Sequence, residues 1–333
     1  MAHTNGTNDP LFLKEPLEHH VEFPELGIPV RFATNDRAIL DLIEDVFGHW
    51  RGADFGSPAH ASPGADIRLM LHDGDEGPGE PLIRFRAPDP LRWIVHTPGS
   101  VGLADLERRE GVAYVTRALL SDRVRFRVSI LQFLVLIILT VEDRTPVHAA
   151  MIGSGEAALL LAGPTGSGKS TLAYAASKAG LEVLSDDATY VQLTPRRVWG
   201  SGPTLLLLSD AAEHFPEVAG IQTTRFPTGK HKMIVSPPGV ANPRRWASRA
   251  GVCVLSQSRG PVSVARISPD DIRAILTHDP AGAGGRFGDR LDQAAAWLGA
   301  PGGWKLSLST DPTEAIPFIK QLLREVQAGA GAG

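Results

Sequence analysis

The sequence predicts an α/β fold in its C-terminal part, preceded by a smaller α+β unit, and three observations carry that reading. The first is a continuous apolar run, Ala157–Leu161, that passes through a glycine-rich turn into a helical pattern over Ser170–Ala179. Gly180 ends that helix and Leu181–Leu184 begins a further apolar strand. The second is a set of short alternating segments, Ile67–Leu71, Leu82–Arg86 and Leu91–His96, each bounded by Gly, Pro or Asp as strands of a meander are. The third is size: 333 residues suggest about two domains, and 43% hydrophobic with 21% charged residues is enough apolar material to pack a core in each.

Residues 1–19 are polar and are expected to be flexible. Ile28–Ala33 reads as a strand. Asp36 is placed to cap a helix over Ala38–Trp50, where Ile39, Leu42, Ile43, Val46 and Phe47 share one face. Gly52–Asp66 reads as a loop. With Gly111–Leu119 as another strand, residues 20–125 form an α+β unit with an antiparallel sheet. The apolar stretch Val128–Val141 is shorter than the about 20 residues a bilayer requires and is interrupted by Ser129, Gln132 and Thr140. A buried helix over Ser121–Val141, leading into the second domain at 126–327, is the simple reading. Within that domain Val252–Leu255, Val262–Ile267 and Trp304–Leu308 read as strands, and Pro269–Thr277, Arg290–Leu298 and Pro312–Val326 as helices. The tail, 328–333, is Ala and Gly only and is expected to be disordered.

A net charge of −4 gives no bulk attraction to nucleic acid or to an anionic membrane, so neither is expected as a partner. The lone Cys253 excludes an internal disulfide and a multi-cysteine zinc site, and its apolar neighbours mark it as a buried, inert thiol. The N-terminus lacks the basic and apolar regions of a signal peptide, so a cytoplasmic location is expected. Arg123, Arg125 and Arg127 form a basic run that suits either an acidic partner or a solvated face.

GPTGSGKS, Gly163 to Ser170, matches G-x-x-x-x-G-K-[S/T]. Gly163, Gly166 and Gly168 let the backbone turn tightly and approach an anion. The loop Gly163, Pro164, Thr165, Gly166, Ser167, Gly168, with Lys169, Ser170 and Thr171 opening the helix, is therefore a candidate nucleotide cradle. Lys169 would reach the β- and γ-phosphates and Ser170 would ligate Mg²⁺. A plain Gly/Ser connector is the alternative, but a strand before the loop and a helix after it meet the context the motif requires.

The strand Leu181–Leu184 runs into Asp186 and Asp187, seventeen residues beyond Lys169 in the case of Asp186. One acid there suits a metal and the other a proton acceptor, against the plainer alternative of a polar strand end. His148 lies just before the strand that feeds the loop.

The stretch Arg144–Leu193, RTPVHAAMIGSGEAALLLAGPTGSGKSTLAYAASKAGLEVLSDDATYVQL, resembles the catalytic core of the HPr kinase/phosphorylase family. The resemblance covers about fifty residues well and the rest of the C-terminal half faintly. It implies a P-loop kinase domain of the HPr kinase / phosphoenolpyruvate carboxykinase type, with ATP and Mg²⁺ bound. It further implies His148 paired with an acid of the Asp186–Asp187 dyad, one of them a base toward a serine-like hydroxyl, and Ser170 with Asp187 toward the metal. Which acid takes which role stays open. A basic strand start often follows in such kinases, and Gly229–Val235 would supply it through Lys230 and Lys232; an exposed cationic turn is the other reading. The N-terminal half does not resemble the regulatory domain of true HPr kinases, and their arginine-rich second signature is missing. The resemblance therefore points to a relative acting on another hydroxyl-bearing acceptor: a peptide, as in lasso-peptide tailoring kinases, a protein or a small molecule. Because HPr kinases are hexamers, it also makes a homo-oligomer plausible.

Other nucleotide-using classes fit less well. A G protein would carry Asn-Lys-x-Asp and a transport ATPase Leu-Ser-Gly-Gly, and the chain has neither. A regulatory or scaffolding protein that binds ATP without transfer remains the third class. The unit at 20–125 carries no catalytic motif and is a candidate for acceptor binding or dimerisation.

Overall fold

The computed structural model of the chain describes residues 16–53, 55, 63–75, 84–86, 90–97, 99–226, 229–237, 245–258, 260–277 and 284–329. It is a mixed α/β protein of several sheets. The chain forms two compact units: Met1–Pro24, Pro29–Gly48 and Pro63–Ile138 make the first, and Glu25–Ile28, His49–Ser62 and Leu139–Gly333 the second. The expected flexible and disordered termini fall largely outside the described residues, although residue 19 already belongs to a strand. The tip of the expected 52–66 loop also lies outside them.

In the first unit a seven-stranded sheet has the order β1-β2-β3-β7-β6-β5-β4. Its strands are β1 (His19–Glu25), β2 (Ile28–Thr34), β3 (Ala65–His72), β4 (Arg84–Arg86), β5 (Leu91–Thr97), β6 (Ser100–Asp105) and β7 (Glu110–Thr116). The sheet is mixed rather than the antiparallel one expected. β2 pairs with β3, and β3 with β7, in parallel, while β4 to β7 form an antiparallel meander. The reason is the helix α1 (Arg37–Phe47): a parallel neighbour needs a crossover, and α1 supplies it between β2 and β3. Asp36 starts α1 as predicted, its carboxylate accepting from the Ala38 and Ile39 amides at 2.8 and 3.2 Å. The segment expected as strand to Leu119 turns helical at Arg117, because the Thr116 hydroxyl caps the Leu119 amide.

The helical segment after β7 comprises α2 (Arg117–Ser121), α3 (Arg123–Phe126), a π turn at Arg127–Leu131 and α4 (Gln132–Leu139). Ile130 and Leu134 lie over Gly102, and Ile138 over Gly111, so this segment clusters with the first sheet up to Ile138. The basic run does not form one patch. Arg123 pairs with Asp45, Arg125 with Asp122, and Arg127 is desolvated enough to lower its pKa. Among the described residues no helix is long and apolar enough to cross a membrane.

The second unit is built on a six-stranded sheet, order β11-β9-β10-β18-β20-β19. Its members are β9 (Ala149–Ser154), β10 (Ala157–Ala162), β11 (Glu182–Ser185), β18 (Arg249–Gln257), β19 (Ser263–Ile267) and β20 (Gly303–Leu308). β10, β18 and β20 run parallel, with β9 and β19 antiparallel to their neighbours. A four-stranded sheet joins β8 (Thr145–Val147), β12 (Thr189–Leu193), β13 (Arg196–Gly200) and β17 (Trp246–Ala247). A three-stranded one joins β14 (Leu205–Leu207), β15 (Thr223–Arg225) and β16 (His231–Val235).

β10 shows why its sequence is apolar without alternation. Leu159 and Leu161 enter one core, with α5 (Lys169–Lys178) and α8 (Ile316–Gln327). Ala158 and Leu160 enter the other, with α6 (Pro269–Thr277) and α7 (Gly284–Gly299). A strand buried on both faces has no polar side to show. Cys253 of β18 is fully buried, and burial pushes its thiol up to about 12, as an inert role requires.

Candidate functional site

The loop Gly163–Gly168 leaves the C-terminal end of β10 and feeds α5. Gly168 is the N-cap of α5 at φ 96°, and a Cβ there would meet the Gln257 side-chain nitrogen at 2.9 Å. Only glycine fits. Having no side chain, it also leaves the first amides of α5 uncapped, so the positive end of the helix faces a cavity of about 520 Å³.

Thr165, Gly166, Gly168, Lys169, Ser170 and Thr171 all line this cavity. Gly163 and Pro164 are not part of its lining, and their carbonyls accept from the Lys169 ammonium at 2.8 and 3.3 Å. Ser167 is buried and its hydroxyl has no partner among the described residues. Lys169 is buried too, and desolvation lowers its pKa, opposed by Asp187 and Asp186.

The two acids have different environments. Asp186 is 6% exposed. Oδ2 accepts from the Leu206 amide at 2.9 Å, and Oδ1 is buried without a hydrogen-bond partner among the described residues. Burial pushes its pKa up to about 6, against the pull of the neighbouring Ser170 hydroxyl and the Leu206 amide. Asp187 lines the cavity and is largely exposed, with Oδ1 3.4 Å from His148 Nδ1. Of the two acids, therefore, Asp186 lies beside Ser170 and Asp187 faces His148.

Strand register brings these groups together. His148 sits at the joint where the chain passes from β8, in the four-stranded sheet, to β9, in the six-stranded sheet. β12 starts at Thr189 and pairs it with Val147, which sets the Asp187 turn beside His148. The Thr189 hydroxyl donates to the Ala149 carbonyl at 2.9 Å and bonds the Ser185 hydroxyl at 3.0 Å, closing the turn that carries both acids.

Lys230, just before β16, and Lys232 within it also line the cavity. Lys232 is near enough to Asp186 and Lys169 to influence both ionisations. Sequence reasoning missed Gln257, Leu208, His214 and the Ser309–Pro312 turn, all part of the same cavity wall. Gln257 ends β18, next to β10, and donates to the Ser167 carbonyl at 3.3 Å. Its place at the C-terminal end of a parallel strand was the available signal, since ligands of open α/β sheets sit there. The other residues lie on turns with no motif.

Among the described residues no group of three or more His, Cys, Asp or Glu side chains forms a metal cage of its own. The unpartnered buried Asp186 oxygen beside the Ser170 hydroxyl is instead a pair of hard oxygen donors. That fits Mg²⁺, which takes one or two protein ligands and completes its shell with phosphates and water. Comparison with protein-family models and with curated proteins finds no match for the chain.

Proposed function

We propose that the second unit is a P-loop kinase domain of the HPr kinase-like type, transferring the γ-phosphoryl group of ATP to a hydroxyl on a peptide, protein or small molecule. The observation that carries this reading is one cavity holding the glycine-rich loop, Lys169 and Ser170 together with Asp187 and its partner His148. A nucleotide switch needs the phosphate cradle, but an exposed acid oriented by a histidine beside it is what an acceptor hydroxyl requires.

In this reading the α5 amides and Lys169 hold the phosphates, and Lys232 adds a second positive charge. Ser170 and Asp186 are the residues for Mg²⁺, which when bound would offset phosphate charge. Asp187, oriented by His148, takes the proton of the acceptor hydroxyl as its oxygen bonds the γ-phosphorus. The bond from that phosphorus to the β–γ bridging oxygen breaks, and ADP leaves. Catalysis is then mostly positioning and charge compensation.

The test is label transfer from γ-labelled ATP with Mg²⁺ to libraries of peptide and small-molecule hydroxyls, with Asp186→Ala/Asp187→Ala as control. Label on an acceptor, lost in the control, supports the kinase. Nucleotide binding with no transfer to any acceptor contradicts it and favours a regulatory or scaffolding role.

A further inference from the structure

Two further stretches of chain contribute to the lining of the same cavity. The short 3-10 helix Ser209–Glu213, with Leu208 before it and His214 after it, is one; the Ser309–Pro312 turn is the other. The two stretches lie near each other: the Asp311 carboxyl, held low first by the Thr313 hydroxyl and amide, is also lowered by His214. Among the described residues Leu208 is the one exposed large hydrophobic side chain, at 40%. It lines this cavity, with Ala211 and Pro312 as further apolar surface and Asp210, His214 and Thr310 as polar groups.

An apolar side chain left in water inside a polar phosphate cavity has a use if a flat apolar ligand face covers it. A bound triphosphate also has a direction here. Its γ end belongs at Lys169, Ser170 and Asp187, which leaves the lining contributed by Leu208–His214 and Ser309–Pro312 for its other end. We infer that the space between Leu208 and Pro312 is a nucleoside subsite, in which the base lies on Leu208 and the ribose hydroxyls face Asp210. This rests on the phosphate-site reading above and adds the residues that would separate a nucleotide from bare polyphosphate. Contact with the face of a base, rather than its edge, favours purines by stacking area and discriminates weakly between adenine and guanine.

The test is titration of the full chain with Mg·ATP and with inorganic tripolyphosphate, for the unchanged protein, Leu208→Asn and His214→Ala. Leu208 is exposed, so the neutral replacement leaves the core intact, and thermal melting checks that. The expected result is ATP bound more tightly than tripolyphosphate by the unchanged chain, with Leu208→Asn weakening ATP about tenfold and leaving tripolyphosphate unaltered. Equal binding of the two ligands by the unchanged chain, or ATP affinity unaltered in both variants, overturns the subsite. A different failure marks the underlying reading: if tripolyphosphate does not bind and Lys169→Ala leaves ATP affinity unaltered, the phosphate cradle itself is wrong, and the subsite falls with it.

Discussion

His148 Nδ1 lies 3.4 Å from Asp187 Oδ1, and the contact spans two sheets: the histidine sits between β8 and β9, and the acid on the turn from β11 to β12. The imidazole is placed to hold that carboxylate in one orientation. His148→Ala is expected to lower the turnover rate about tenfold to hundredfold with little change in the ATP concentration needed for half-saturation. His148→Asn, whose amide nitrogen can stand near the Nδ1 position, should recover part of that loss. Steady-state kinetics on the three proteins decides it; equal losses in both variants would argue against an orienting contact.

Gly200 of β13 lies against the strand end that leads into Asp186. A Cβ at this position would collide with the Leu184 carbonyl. The backbone is fixed on both sides, with Gly200 donating to the Arg245 carbonyl at 2.9 Å and Gly202 to the Leu184 carbonyl at 3.0 Å. Gly200→Ala is expected to cost about 1–3 kcal/mol and to weaken nucleotide binding by moving the acidic turn. Denaturant titration measures the first effect and ATP titration the second.

Arg144 is buried, donates from Nε and Nη2 to the Leu26 carbonyl at 3.0 and 2.9 Å, and stacks 4.9 Å from the Trp199 ring centre. Burial lowers its pKa to about 10. Lysine keeps the charge but has neither the two-pronged donor nor the flat face. Arg144→Lys should therefore destabilise by about 1.5–3 kcal/mol, as loss of a charged hydrogen bond does, read as a lower denaturation midpoint with an unaltered slope.

Glu25 is 2% exposed, beside Arg245 and Tyr190. Burial raises its pKa well above 4.5, and Arg245 only partly opposes this. The folded state thus keeps a proton that the unfolded chain releases. The contribution to stability is full below about pH 4.5 and is lost as pH rises toward the folded value. Glu25→Gln should remove that decline and be as stable as the unchanged chain, or more so, at neutral pH. Melting temperature against pH for both proteins shows whether the slope belongs to Glu25.

The parts of the fold that the sequence made legible are those whose burial is two-sided or whose backbone needs glycine. Ala157–Ala162 stands out because both faces enter a core, and the Gly163–Ser170 loop because its conformation and chemistry restrict every position. The acids after Ser185 were visible by position. Their different surroundings were not, since Asp187 meets His148 only because Thr189 pairs with Val147 in a separate sheet. The parallel pairing of β2 with β3 was hidden because alternation within a strand does not reveal the direction of its neighbour. Leu208 and His214 had no local signal: they line the cavity together with Ser309, Thr310 and Pro312, about a hundred residues further on.

In the proposed reaction Asp187 handles the acceptor's proton while Asp186 serves the metal. The decisive comparison is of Asp187→Asn with Asp186→Asn, in Mg²⁺-dependent ATP binding and in label transfer to an acceptor. Asp187→Asn should keep Mg·ATP affinity and lose about 10²–10⁴ in transfer rate, whereas Asp186→Asn should lose both the Mg²⁺ dependence of binding and transfer. Transfer that continues undiminished in Asp187→Asn would rule out Asp187 as the proton acceptor.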